Sequence, residues 1–146
     1  MGARGSVIGR VARRFEPAPP DVKGANVLVV DDERAWRAIL ETDLELLGYS
    51  VVTASDAGEA LEHAATARPA IAIVDLMLPE PVDGRELVRR LRARGDQVPV
   101  VFYSARGTVL NEDGPGAPPF FSKAADRADL YAALPDLIRR GAQPVV

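Results

Sequence analysis

Two apolar runs in this chain end on carboxylates. Val27-Leu28-Val29-Val30 leads into Asp31-Asp32, and Ile71-Ala72-Ile73-Val74 leads into Asp75. Neighbouring side chains of a strand point to opposite faces, so acids at strand ends fan out around the mouth of a sheet. Like charges held that close repel unless a cation or water sits between them. Three carboxylates at the ends of two buried strands make an oxygen-rich pocket suited to a hard cation such as Mg²⁺. Two more groups fall at strand ends: Ser104 follows an apolar run over 98–103, and Lys123 follows 119–122. Three acids, a hydroxyl and an amine on one rim form a phosphoryl-transfer set. A carboxylate can accept a phosphoryl group as nucleophile. A divalent cation neutralises charge that would repel the incoming anion, and Lys and Ser hold the remaining oxygens.

Positioning that set requires regular alternation of strand and helix, and the sequence has it. Strands are expected at 26–30, 50–54, 70–75, 98–103 and 119–122. A helix over 33–47 carries Trp36, Ile39, Leu40, Leu44 and Leu47 on one face and stops at Gly48. Asp56 caps a second helix over 57–67, which Arg68-Pro69 ends. A turn over 79–84 leads to a helix over 85–94, and the last helix spans 126–140. Strands that are apolar throughout imply burial on both faces, hence a parallel sheet between helices. The spacing predicts a doubly wound α/β fold, a flavodoxin-like three-layer sandwich whose five strands run in the order 2-1-3-4-5. Ligands of such sheets bind beyond the carboxyl ends of strands one and three, which here end in the acids. The segment over 106–118 is rich in Gly and Pro and does not suit a full crossover helix. At most a turn near 108–112 is expected there, a degenerate fourth helix.

Composition sets outer bounds. The chain has 146 residues, 27% of them charged, no Cys and a net charge of −3. One domain with a real core fits that length. Disulfides and thiolate metal sites are excluded, and no apolar run approaches the roughly 20 residues of a membrane span. Residues 1–24 are basic, with Arg4, Arg10, Arg13, Arg14 and Lys23 against Glu16 and Asp21. Pro17, Pro19 and Pro20 favour extended chain, so 1–24 reads as a basic arm and linker, with a short helix conceivable over 6–15. The remaining body is acidic and exerts no general pull on nucleic acid.

The motifs VLVVDDE, IVDLMLP with a later DG, VVFYSA and FFSKA, in this order, resemble the receiver domain of two-component response regulators. The resemblance covers roughly residues 25–140, which assigns 25–146 to the receiver. It implies that Asp75 is the phosphoacceptor, that Asp32 binds Mg²⁺ directly, and that Asp31 does so through water. The backbone carbonyl of Met77 would complete the protein ligands. Lys123 would pair with the phosphoryl group. Ser104 would hydrogen-bond it and carry the switch, coupled to a rotamer of Phe120, with Phe121 as the alternative. The implied partners are a sensor histidine kinase or histidine phosphotransfer protein and a downstream protein. Output is then by protein–protein contact in the cytoplasm, from a stand-alone receiver or one cut from a larger chain. Such a switch promotes its own phosphorylation and dephosphorylation without separate substrate turnover.

Several positions depart from the family pattern. Ala124 follows Lys123 where the family usually has Pro after a cis bond. A cis Lys-Ala bond costs about 2.5–4 kcal/mol, so trans is expected. The 79–84 turn is about one residue longer than the family's usual turn, and the interval from Ser104 to Lys123 is a few residues shorter than usual. Met77 and Arg106 are the positions expected to tune phosphoryl lifetime, Met77 by offering no hydrogen bond to an attacking water. His63, the only histidine, belongs on a solvated helix face. A constitutive pseudo-receiver remains the rival reading. An Asp-x-Asp phosphatase is disfavoured because Asp75-Leu76-Met77 lacks the second Asp, and a nucleotide oxidoreductase because no Gly-x-Gly-x-x-Gly follows a strand.

Overall fold

The computed structural model describes residues 15–105 and 116–142. Over these the elements run β1 (Asn26–Val30), α1 (Arg34–Leu47), β2 (Ser50–Ala54), α2 (Ala57–Ala67), β3 (Ile71–Val74), α3 (Gly84–Ala93), β4 (Val100–Ser104), β5 (Phe120–Ser122) and α4 (Arg127–Ala142). The five strands form one parallel sheet in the order β2-β1-β3-β4-β5. The expected order and elements are therefore present, with ends shifted by a residue or two. β4 starts later than expected because Pro99 has no N–H for the ladder, although its carbonyl still accepts from Ala72 N at 2.8 Å.

Local chemistry explains the helix boundaries. Asp56 caps α2 by accepting from Glu59 N, and Asp83 caps α3 by accepting from Glu86 N. Gly48 ends α1 with φ of 105°, a left-handed conformation that suits glycine. Alternation along the buried strands splits the core in two. Val27, Val29, Ile71, Ile73, Val101 and Tyr103 face α1 and α4. Leu28, Val30, Ala72, Val74, Val100 and Phe102 face α2 and α3.

Residues 15–24, read above as linker, pack on the body. Phe15 and Val22 are buried in the cluster beneath α1 and α4. Phe15 meets Tyr131 edge-on at 4.9 Å, and the Arg127 guanidinium lies 5.7 Å from its ring centre. Ala18 N donates to Leu47 O and Gly24 N to Gly48 O, while Asp21 accepts two hydrogen bonds from Arg139 at 2.7 and 2.9 Å. The prolines do keep the segment from being helical, but two apolar side chains among them fill the seam between the outer helices. Beneath that seam the buried Asp43 accepts from Arg127 Nε and from the Tyr131 hydroxyl. The short helix expected over 6–15, the degenerate fourth helix and Arg106 lie outside the described residues, apart from Phe15 itself.

Phe15→Ala is expected to lower stability by about 2–4 kcal/mol, since it removes a buried ring from a closed seam. Urea unfolding measures it, and a loss under 1 kcal/mol would mean that the segment is only loosely laid on the surface.

Candidate functional site

Register places the acids. Val30 and Val74 are partners across β1 and β3, so the residues that follow them, Asp31 and Asp75, emerge side by side from the sheet. Both are buried, whereas Asp32, pointing the other way, is exposed. The ladder from β4 to β5 pairs Ser104 with Ser122, and Lys123 N continues it by donating to Ser104 O at 3.0 Å. Ser104 and Lys123 thereby reach the same rim.

The side chains converge. Lys123 Nζ donates to Asp31 Oδ2 at 2.6 Å and to Asp75 Oδ2 at 2.8 Å, with only 3% of its side chain exposed. Ser104 Oγ, fully buried, donates to Asp75 Oδ1 at 2.6 Å, and Met77 N donates to the same oxygen at 3.0 Å. Glu33 N donates to Asp31 Oδ1 at 2.9 Å. The Lys123-Ala124 bond is trans, as expected, and the ammonium still reaches the cup.

Burial pushes the Asp31 carboxyl up from its ordinary value, against the lowering effect of its bonds from Lys123 and Glu33 N. Burial acts against the Lys123 ammonium too, but the hydrogen bonds and charges of Asp31 and Asp75 prevail and hold it above its ordinary range. The amine is thus a fixed cation.

Asp31, Asp32 and Asp75 each bring an oxygen within 4.8 Å of the others. Two oxygens on one Mg²⁺ at about 2.1 Å stand at most about 4.2 Å apart. Three carboxylate oxygens gathered this closely, one of them on the exposed Asp32, make a donor set that suits a hard divalent cation. Asp32 also lines an open cleft with Ser55, Asp56, Glu80 and Pro81, which gives the cup access to solvent.

The remaining expected residues divide. Met77 is 53% exposed beside the acceptor strand. Phe120 packs towards the α2 and α3 layer and Phe121 towards the α1 and α4 layer, so the two aromatics lie on opposite faces of the sheet. His63 sits on α2 at 3.5 Å from Glu59.

Three neighbours of the cup escaped the sequence reading. Arg37 Nη1 donates to Asp31 O at 2.8 Å, fixing the backbone of the acid pair. Trp36 places its ring 5.0 Å beneath the Lys123 ammonium. Gly84 lies so close that a Cβ there would meet Asp75 O at 2.3 Å, which explains the glycine after the Asp83 cap. The first two follow the acid pair by one helical turn, a spacing that could have flagged them.

Asp31→Asn tests the electrostatics. A raised carboxyl value means that the folded state takes up the proton more readily than the unfolded chain. The stability Asp31 supplies is therefore full below its unfolded value of about 3.9 and is lost as pH rises through the folded value. The variant does not titrate there. Its stability relative to wild type is expected to rise from acid towards neutral pH, and urea unfolding across that range checks this. A flat or falling difference would contradict the assigned direction.

Comparison with known proteins agrees with the geometry. The family model described as response regulator receiver domain matches residues 27–135. Response regulator MprA of Mycolicibacterium vanbaalenii is 38% identical over 117 residues, 78% of this chain and 50% of the relative. The MprA of Mycobacterium leprae is 38% identical over the same length. The chain spans about half the length of these relatives. Among solved structures, the receiver domain of Francisella response regulator 1452 superposes with a TM-score of 0.71 at 27% identity, covering 80% of this chain and 98% of that one. The BeF3-activated N-terminal receiver domain of Klebsiella pneumoniae RstA gives 0.70 at 26% identity, covering 78% and 98%. Among the described residues no helix is long and apolar enough to cross a membrane. The chain belongs to the response regulator receiver domain family, the signalling switches of two-component systems.

Proposed function

We propose that this receiver takes a phosphoryl group onto Asp75 from a phosphohistidine, on a sensor histidine kinase or a histidine phosphotransfer protein. An O–P bond forms at the Asp75 carboxylate as the donor's P–N bond breaks. The observation that carries this reading is the convergence of Lys123 Nζ and Ser104 Oγ on the two oxygens of one buried carboxylate. Those donors hold Asp75 in one orientation and already stand where phosphoryl oxygens would need them.

Asp31, Asp32 and Asp75, with the Met77 carbonyl, would hold Mg²⁺, which when bound supplies charge neutralisation between the acids and the incoming phosphoryl oxygens. Lys123 provides a permanent positive charge on the other side. Ser104 gives up its bond to Asp75 Oδ1 for one to a phosphoryl oxygen, and its displacement is the switching event. Phe120, on the same face as Phe102, relays it along β5. A downstream protein reads the altered face, and the acyl phosphate is lost by the receiver's own hydrolysis, without turnover of a separate substrate. A solved beryllofluoride-activated relative with the same fold supports this chemistry.

Acetyl phosphate with Mg²⁺ is expected to label the wild type, and Asp75→Asn is expected to abolish the label, as read by intact mass at low temperature. Wild type that takes no label and binds no beryllofluoride would point instead to a constitutive interaction module.

Met77 governs lifetime. Its exposed apolar side chain gives an attacking water no hydrogen bond next to the acceptor. Met77→Asn is expected to change the rate of phosphate loss severalfold, towards faster hydrolysis, and an unchanged rate would remove Met77 from the mechanism.

A further inference from the structure

Lys123 is held by more than its two carboxylates. Its ammonium lies 5.0 Å from the centre of the Trp36 ring, within the range over which an aromatic face attracts a cation. Trp36 is the only tryptophan of the chain. It is half-buried on α1, one turn after the acid pair. Tyr103 meets it edge-on, with centroids 5.5 Å apart and ring planes at 87°. Tyr103 is itself fully buried and directly precedes Ser104, and its hydroxyl has no hydrogen-bond partner among the described residues. Tyr103 is packed in the buried cluster that faces α1 and α4, and from there it buttresses Trp36. The result is a rigid aromatic platform beneath a long, flexible amine. The groups this ammonium meets are the Trp36 ring and the carboxylates of Asp31 and Asp75.

We propose that Trp36 is a positioning residue for Lys123: its face seats the ammonium over the acid cup, so that the amine is in place for a phosphoryl oxygen on Asp75. The inference rests on the phosphoacceptor reading given above. A face that attracts the cation lowers the conformational cost of presenting it, and that contribution persists when the amine's partner changes from carboxylate to phosphoryl oxygen.

Two measurements decide it. In the first, calorimetry follows beryllofluoride binding in the presence of Mg²⁺, with circular dichroism to establish that each variant is folded. Trp36→Leu, which keeps an apolar side chain without a π face, is expected to weaken binding about 3- to 30-fold, and Trp36→Phe to recover most of the loss. In the second, Lys123→Met is made in the ligand-free protein. Removing the cation is expected to change the intensity or wavelength of Trp36 emission. Leucine binding as tightly as wild type, phenylalanine as weak as leucine, or emission indifferent to Lys123 would each overturn the proposal. If wild type binds no beryllofluoride, the phosphoacceptor reading fails instead, and the emission measurement, which needs no ligand, still decides whether the seat exists.

Discussion

One ammonium between two buried carboxylates organises this molecule. Lys123 spans Asp31 and Asp75 at 2.6 and 2.8 Å. Without it, two anions would face each other across neighbouring strand ends with little water to screen them, a cost of several kcal/mol per charge. The parallel register brings those anions together, and the β4 to β5 ladder delivers the amine to them. Sheet order, strand ends and helix starts are all constrained by the need to close that triangle.

The same triangle explains why the site is poised. It carries three carboxylates against one fixed cation, so it has capacity for more positive charge. The exposed acid is Asp32. The buried parts are locked by donors on each oxygen: Ser104 and Met77 on one oxygen of Asp75, Lys123 on the other. The buried side of the cup is thus held by hydrogen bonds, and its exposed side, at Asp32, is open to solvent.

How much of this was legible beforehand follows from range. Strand ends and caps are local, so Asp31, Asp75, Ser104 and Lys123 could be placed on one rim from sequence alone, and the Asp56 and Gly48 boundaries follow from capping chemistry. Contacts between distant segments could not. Phe15 reads as the end of a short apolar stripe just before the prolines, and nothing near it announces that Tyr131 completes its environment. The Trp36 seat depends on a lysine far along the chain, and the helical stripe alone marks that tryptophan as ordinary core. Gly84 reads as a turn glycine until the Asp75 backbone is seen pressed against it.

The seam filled by Phe15 also fixes the course of the first described residues. Phe15 touches Arg127 and Tyr131, in the opening turns of α4, only a few residues after Lys123. The first described residues therefore stand at the end of the sheet that carries the acid cup, and residues 15–24 run from there to the start of β1 at the far end. This segment is therefore part of the surface around the cup.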